Sequence, residues 1–257
     1  MRSRPSRPLR KNPLMADTDP WGVRRVRANN PSPMTLDGTN SYVVGRWVVD
    51  PGPDDWDHLE ALKAASHGPI EGIVLTHTHP DHAEGAPSLA AMVGGMDVVL
   101  PTEGQRVGPF DVIATPGHAP EHVCLLLDGR IGFAGDNVLG WGSVVIGPGG
   151  GAMAAYLDSL RRLRALELDV ICPGHGPYVD DPAAKLDEYL EHRLDRERRL
   201  LAALDAGARD EAVILDQVWG DAPAELRHAA GQALRAHLEK LADEGRLPAD
   251  VDPSLPG

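Results

Sequence analysis

The sequence is short of cysteine and of long apolar runs, and each shortage excludes a class of protein. Its 257 residues include only Cys124 and Cys172, and both stand in apolar, strand-like segments. Two such residues cannot form the disulfide framework of a secreted scaffold, so we expect reduced core side chains in a cytoplasmic protein. The apolar runs fall far short of the roughly 18 residues that cross a bilayer, which predicts a soluble chain with no membrane partner.

Positive charge is scarce outside the first residues of the chain. The formal net charge is −13, yet residues 1–15 hold five Lys and Arg and no acid, which leaves −18 for the remainder. Because prolines interrupt any helix there and the apolar core of a secretory signal is missing, residues 1–18 are predicted to be a basic disordered tail. The tail could be a transit-like peptide, an arm that touches nucleic acid, or an extension ahead of a true start at Met15, and the last two are favoured.

The most informative segment is Thr76–His82, which reads Thr-His-Thr-His-Pro-Asp-His and follows the apolar, strand-like residues 73–75. Imidazole and carboxylate suit zinc and its neighbours, and a metal site repays the cost of desolvating so many of them together. In an extended segment His77 and His79 point to one side, while Pro80 permits a kink that turns the following Asp and His elsewhere. One loop could therefore serve two metals if other parts of the chain supply more ligands.

Three further strand-like segments each end in a candidate ligand. His118, Asp136 and His175 each follow an apolar run and each stand beside glycine. Glycine lets the backbone turn tightly and approach a bound ion closely. Together with the histidine-rich segment, these residues predict a two-metal centre.

These residues, in this order, resemble the metallo-β-lactamase superfamily, whose pattern is a His-x-His-x-Asp-His loop, then a His, an Asp and a last His. The resemblance implies an α+β protein with an αββα sandwich and two bound metals, which we expect to be zinc, although iron or manganese would fit. It assigns His77, His79 and His118 to the first metal, Asp81, His82 and His175 to the second, and Asp136 to both.

The identity of the bridging residue carries functional information. True β-lactamases of this superfamily usually place Cys or Ser where this chain has Asp136, whereas thioesterases, phosphodiesterases and nucleases keep Asp. The resemblance therefore argues against dedicated β-lactam hydrolysis. It implies that a metal-bridging hydroxide attacks the substrate, that Asp136 spaces the ions and that Asp81 passes a proton to the leaving group.

Other residues are candidates for supporting roles. The resemblance implies that Asp50 orients the metal loop from behind, with a simple turn after the preceding strand as an equal alternative. It also places four residues in loops around the substrate, with loop packing as the alternative for each: Asn40, Tyr42, Trp141 and Ser143. His122 is expected to support ligands, and five histidines in helical segments are expected on the surface: His58, His67, His192, His228 and His237.

Apolar periodicity predicts a metal-binding domain over 19–183 and a helical domain over 184–250. Strands are predicted near 41–50, 71–75, 97–100, 111–114, 122–127, 131–134 and 169–172, and helices near 56–66, 86–94 and 152–166. The second domain is predicted to contain helices near 184–205, 212–219 and 230–241, and then a glycine turn at 243–247 that starts a wing. This order is the outline of a winged helix.

The winged-helix outline, with residues 37–42 and 135–140, resembles the β-lactamase-like protein 2 subfamily over residues 20 to 248. That resemblance implies an endoribonuclease acting on single-stranded RNA. The neighbouring glyoxalase II family implies the alternative, a hydrolase of small-molecule esters or thioesters with possible promiscuous β-lactamase activity.

Charge limits the RNA interpretation, because residues 184–257 hold ten Lys and Arg against sixteen Asp and Glu. Duplex DNA is therefore not an expected partner, and the helical domain is interpreted first as a lid or a homodimer contact. Two other classes are less favoured: a redox protein like the flavodiiron relatives, which needs a flavin domain or a reductase partner, and a regulatory module with an idle metal domain.

Overall fold

The computed structural model describes residues 17–18, 21–149 and 151–253. Most of the predicted tail lies outside the described residues, although Asp17–Thr18 forms a short strand, β1, that pairs with its neighbour in the first sheet. No helix of the described ranges is long and apolar enough to span a bilayer.

Two sheets form the centre of the metal-binding domain. The first has the order β1-β2-β3-β4-β5-β6, and in it β5 pairs in parallel with both β4 and β6. The second has the order β11-β10-β9-β8-β7 and a parallel pair at β10 and β11. The strands after β1 are β2 Val23–Arg27, β3 Asn40–Val44, β4 Trp47–Val49, β5 Gly72–Val74, β6 Val98–Val99, β7 Arg106–Val107, β8 Phe110–Ala114, β9 Val123–Leu127, β10 Ile131–Gly135 and β11 Val170–Pro173.

Helices cover both outer faces of the pair of sheets. The helices are α1 Trp56–Ala65, α2 Pro80–Ala83, α3 Ala86–Met92, α4 Ala152–Arg164, α5 Pro182–Asp205, α6 Glu211–Trp219 and α7 Arg227–Asp243, with a 3-10 turn at Ala224–Leu226. One core fills the space between the sheets around Phe110, Leu125 and Phe133. A second core lies under α1 and α3, and a third lies under α4 and α5. This is the predicted αββα sandwich.

The helical domain has a core of its own, formed by α5, α6 and α7 around Leu200, Val218 and Leu234. Asp181 begins α5 by accepting a hydrogen bond from Ala184 N at 3.0 Å, and Asp210 begins α6 in the same way through Val213 N. Such caps satisfy amide groups that the first helical turn leaves free. After α7 the described residues contain turns and no strand, so the glycine turn at Gly245 leads into an irregular segment rather than a β wing.

Several predicted elements differ from the observed ones. The strand predicted over 41–50 is two strands, because Gly45, with φ +61°, makes a tight turn between β3 and β4. Two of the five histidines expected on the surface are fully buried instead: His58 of α1 packs against β3, and His237 of α7 packs near Trp219.

Candidate metal centre

Asp50 fixes the start of the histidine-rich loop. It stands at the end of β4 with φ +47°, and its side chain is buried. One carboxylate oxygen accepts from Thr76 N and the other from Thr76 Oγ1, both at 2.7 Å. His82 Nδ1 also lies 2.9 Å from Asp50 Oδ2. Asp50 therefore holds both ends of the loop and turns the other ring nitrogen of His82, Nε2, toward the cleft.

Three histidines form the first group of candidate ligands. His77, His79 and His118 each offer a nitrogen, and these atoms lie within 4.8 Å of one another. His79 Nδ1 and His118 Nε2 are 2.9 Å apart. His118 donates from Nδ1 to the Val145 carbonyl at 3.0 Å, which leaves Nε2 free for an ion.

The second group lies beside the first. It contains Asp81, His82, Asp136 and His175, again with one ligand atom each within 4.8 Å of the others. Asp136 Oδ1 lies 3.3 Å from His82 Nε2 and 3.2 Å from His175 Nε2, while its Oδ2 lies 3.6 Å from His118 Nε2. One carboxylate thus faces both groups, which is the arrangement that a bridging ligand needs.

The donor atoms of these groups fit metal ions. His77 Nε2 is buried and has no hydrogen-bond partner among the described residues, while His77 Nδ1 contacts Thr76 Oγ1 at 3.0 Å. A buried ring nitrogen without a partner is costly unless a ligand occupies it. Imidazole and carboxylate donors suit zinc, iron or manganese, and their chemistry does not choose one of these ions.

The close packing of these His and Asp side chains shifts their pKa values. Burial acts to lower the pKa of His175, but hydrogen bonds to Asp136 and Asp81 outweigh it and raise the value to about 9. Burial acts to raise the pKa of Asp136, yet the charges of His82 and His175 hold it well below its usual range. Burial and neighbouring imidazoles lower the pKa of His77. The carboxylates of Asp81 and Asp136 lie close together in the second group, and their negative charge favours the binding of cations.

Gly174 permits the close approach of the two groups. A Cβ atom at this position would lie 2.5 Å from Asp136 Oδ1 and 2.6 Å from His82 Cε1. Either ligand would have to move to make room for it. The Pro-Gly-His sequence around His175 therefore brings the backbone itself against the site.

Two further side chains support the site without belonging to either ligand group. His122 contacts Thr115 Oγ1 at 2.9 Å and accepts from Asp136 N through its other nitrogen at 3.2 Å, so it supports Asp136 and lies outside both ligand groups. Glu121 accepts from Thr78 N at 3.1 Å and from Thr78 Oγ1 at 2.5 Å. No sequence motif predicted this role for Glu121, although it stands three residues after His118.

The residues predicted around the substrate divide into two pairs. Asn40 and Tyr42 lie in strand β3 rather than in a loop, and both are buried. Their side chains donate to the Pro173 carbonyl at 3.0 and 2.7 Å, so they support the segment that carries His175. Trp141 and Ser143 are exposed and line the cleft, where a substrate can reach them.

A cavity of about 830 Å³ extends from the metal centre to the helical domain. Its lining includes His118 and Asp136 of the metal centre and Trp219 and Ala233 of the helical domain. Most of its wall is apolar, including Met34, Leu36, Leu139, Trp141, Val144 and Leu226. The arrangement can hold two cations beside an elongated, largely apolar ligand.

Comparison with known protein families gives three matches along the chain. The profile of the Beta-lactamase superfamily domain matches residues 46–121, and that of the Metallo-beta-lactamase superfamily matches residues 93–175. The Beta-lactamase associated winged helix domain matches residues 213–251. These ranges together include every candidate ligand and most of the helical domain.

Curated proteins resemble the chain over most of its length. The Beta-lactamase-like protein 2 homolog of Caenorhabditis elegans is 33% identical over 254 residues, covering 87% of this chain and 85% of that protein. The Atrochrysone carboxyl ACP thioesterase of Aspergillus fumigatus is 33% identical over 259 residues, covering 89% of this chain and 75% of that protein.

Solved structures share the fold. A metallo-beta-lactamase family protein from Thermus thermophilus superposes with a TM-score of 0.68 at 22% identity, covering 88% of this chain and 94% of that one. A further structure, in a di-iron-bound form, has a TM-score of 0.52 at 27% identity and covers 62% of this chain and 95% of its own.

Proposed function

The chain belongs to the metallo-β-lactamase superfamily and carries its associated winged helix domain, and on this premise we propose that it hydrolyses thioesters with an apolar acyl group. Membership makes it a hydrolase with a metal-binding His and Asp cluster. The observation that carries the choice of substrate is the apolar cavity that begins at His118 and Asp136.

Two divalent ions, when bound, would lower the pKa of a water toward neutrality and polarise the substrate carbonyl. His77, His79 and His118 would hold one ion, and Asp81, His82 and His175 the other. Asp136 faces both groups with separate oxygens and would fix their spacing. The role of these seven side chains as ligands is part of this proposal.

Asp81 would carry the proton in this reaction. Its side chain is 27% exposed, so it reaches the open side of the cleft, and its Oδ2 lies 3.2 Å from His175 Nε2 and 3.3 Å from Thr39 Oγ1. A carboxylate in this position can accept the proton of the attacking water and give it to the leaving thiolate. Hydrogen bonding and charge from His175 and His82 outweigh the effect of burial and lower the pKa of Asp81, which keeps it ionised before attack.

The substrate preference follows from the cavity walls and the charge of the molecule. A long acyl group can cover Leu139, Val144 and Trp219, whereas a ribonucleotide chain would place phosphates against these apolar side chains. The net charge of −13, and the ten basic against sixteen acidic residues over 184–257, disfavour a polyanion further. A thioesterase among the relatives supports the same choice.

Cleavage of single-stranded RNA, expected from the resemblance, stays a prediction and is the competing outcome of the test.

We also propose zinc as the resident ion, with iron as the alternative that a di-iron-bound neighbour suggests. Elemental analysis of protein purified without added metal checks this choice. A cytoplasmic location and a homodimer stay predictions as well.

The test is a substrate panel run on the metal-loaded protein. It contains the octanoyl thioester of N-acetylcysteamine, S-lactoylglutathione, single-stranded RNA and a chromogenic cephalosporin. We expect the octanoyl thioester to give the highest kcat/KM, at least tenfold above S-lactoylglutathione, because only its acyl group fills the apolar cavity.

Asp136→Ala and the exposed His228→Ala provide the matched variants. The first should lose at least 100-fold in turnover because each ligand group loses one oxygen of Asp136, and the second should keep wild-type rates. Efficient RNA cleavage that disappears in Asp136→Ala, without thioester hydrolysis, would overturn the proposal in favour of the nuclease.

A further inference from the structure

Arg193 of α5 is a buried cation that lines the cavity and has no carboxylate partner among the described residues. It is 3% exposed. Its Nη2 donates to Ser143 Oγ at 3.0 Å and to the Val144 carbonyl, and its Nε is buried without a hydrogen-bond partner. Both of its acceptors are neutral, and the guanidinium carbon lies 5.4 Å from the centre of the Tyr156 ring. None of these groups carries a formal negative charge to balance the guanidinium.

Two carboxylates of the helical domain, Glu197 on α5 itself and Asp221, which also lines the cavity, are already paired with other cations. Glu197 accepts from Lys240 at 2.7 Å and from Arg246 at 2.6 Å. Asp221 pairs with Arg196 at 2.7 Å. Neither acid therefore forms an ion pair with the Arg193 guanidinium.

The other acids of the cavity wall do not pair with Arg193 either. Glu188 pairs with Lys185 at 3.1 Å, and Asp37 lies 3.7 Å from Arg27. Asp136 belongs to the metal centre, and Glu225 lies exposed on the 3-10 turn. The lining of the cavity thus combines candidate metal ligands, a cation without a carboxylate partner and many apolar side chains.

Burying a charge without a counterion is costly, so a site of this kind is typical of a protein that completes its charge balance with a ligand. A guanidinium binds a carboxylate through directed N–H groups, and one positive charge matches a single carboxylate better than a dianionic phosphate. Ser143 stands beside Arg193 at the exposed edge of the cavity and offers a hydroxyl to the same ligand.

We propose that Arg193 and Ser143 form a carboxylate-binding subsite, and that the substrate is a thioester whose apolar acyl group carries a free carboxylate away from the reacting carbonyl. The proposal rests on the proposed function and narrows it to one substrate class. Its geometry has a simple origin: Val144 O accepts from Arg193, and the adjacent Val145 O accepts from His118 Nδ1. Two consecutive carbonyl groups therefore set the spacing between subsite and metal centre.

The kinetic test compares two N-acetylcysteamine thioesters of equal chain length, suberoyl with a terminal carboxylate and octanoyl without one. We expect the wild-type protein to prefer the suberoyl thioester by at least tenfold in kcat/KM. Arg193→Met should reduce this ratio to about one, while Arg193→Lys, which keeps the charge, should retain part of it. The exposed Arg198→Met, on the same helix, should keep both the ratio and the rates.

A binding measurement separates the subsite from the reaction. Suberate is titrated calorimetrically into metal-free protein, so that no bound metal ion contributes, and the comparison with Arg193→Met isolates the part of binding that depends on the guanidinium. We expect binding to weaken at least tenfold in Arg193→Met and to be unchanged in Arg198→Met. Equal suberate binding by wild type and Arg193→Met, or a wild-type preference for the octanoyl thioester, would overturn the subsite. If neither thioester is cleaved, the proposed function fails, and suberate binding still decides the subsite.

Discussion

The histidines of this protein show how far residue type and spacing predict a role. The five candidate ligands among them stand in short motifs, so the sequence alone identifies them. His58 and His237 stand in helices without such a motif, and both are fully buried. His58 contacts Ser41, seventeen residues away, at 2.9 Å, and no local sequence pattern predicts a contact of that kind.

His237 should make the helical domain sensitive to acid. Burial, followed by the charges of Arg193 and Lys240, lowers its pKa to about 3, whereas the unfolded chain binds the proton near pH 6.5. Between these values the unfolded state holds more protons, so stability falls as the pH falls. From pH 7 to pH 5 this one residue should cost about 2 kcal/mol of unfolding free energy.

Urea unfolding of wild type and His237→Phe at both pH values measures this effect. The phenyl ring is an aromatic group of similar shape and slightly larger size, and it removes the titrating group, so the variant should lose less stability on acidification. His228→Phe, at an exposed position of the same helix, should behave like wild type. Equal acid sensitivity of wild type and His237→Phe would contradict the assignment.

At the scale of elements, burial patterns decide which strands could be predicted. β5, β9 and β10 are almost wholly buried and have apolar sequences, so their predicted positions agree with the structure. β2 was not predicted because it contains three arginines, and only Val23 and Val26 of it are buried. Arg24 instead donates to the Ala65 carbonyl of α1 at 2.8 Å, a contact that depends on how the chain folds back.

In the candidate site, too, features set by neighbouring residues could be predicted, and contacts between residues far apart in the sequence could not. All seven candidate ligands stand in recognisable turns at strand ends. The supporting contacts of Asn40, Tyr42 and Arg193 join residues that are fifty or more positions apart. Such pairs are set by the packing of elements, so the sequence could predict which candidate ligands come together but not the side chains that support them.

Glu121 links the metal loop to the segment that carries His118. Its carboxylate accepts two hydrogen bonds from Thr78, between His77 and His79, and so ties together all three donors of the first group. Glu121→Ala should weaken metal binding at this group by about fivefold, since exposed hydrogen bonds of this type contribute about 1 kcal/mol.

Titration of the metal-free protein with cobalt, followed by its visible absorption, measures binding at the two groups. Glu84→Ala changes an exposed acid close to the same loop and should leave both affinities as they are. Equal weakening by both variants would show that net charge, and not the contact with Thr78, is responsible.

At the scale of the whole molecule, one hydrophobic core joins the two domains, in addition to the separate core of the helical domain. Leu186 and Tyr189 of α5 and Ala236 of α7 pack with Tyr156 and Leu160 of α4. Tyr189 OH also donates to the Gly142 carbonyl at 3.0 Å. The helical domain is therefore part of the hydrophobic structure of the metal-binding domain.

A chain that ends at Asp180 should fail to give a stable protein. Removing α5 and α7 exposes the apolar face of α4, which would favour aggregation. Yield after expression and the unfolding transition by circular dichroism measure the effect, with a chain ending at Pro253 as the control. A shortened chain that folds cooperatively and binds two metals would contradict this view.

The cavity between the domains has a practical consequence for finding the natural compound. A compound bound in the cavity contacts both the sandwich and the helical domain. Because it binds only the folded protein, it stabilises the protein against unfolding. Libraries of acids and acyl conjugates can therefore be ranked by the rise in melting temperature alone, before any turnover is detected.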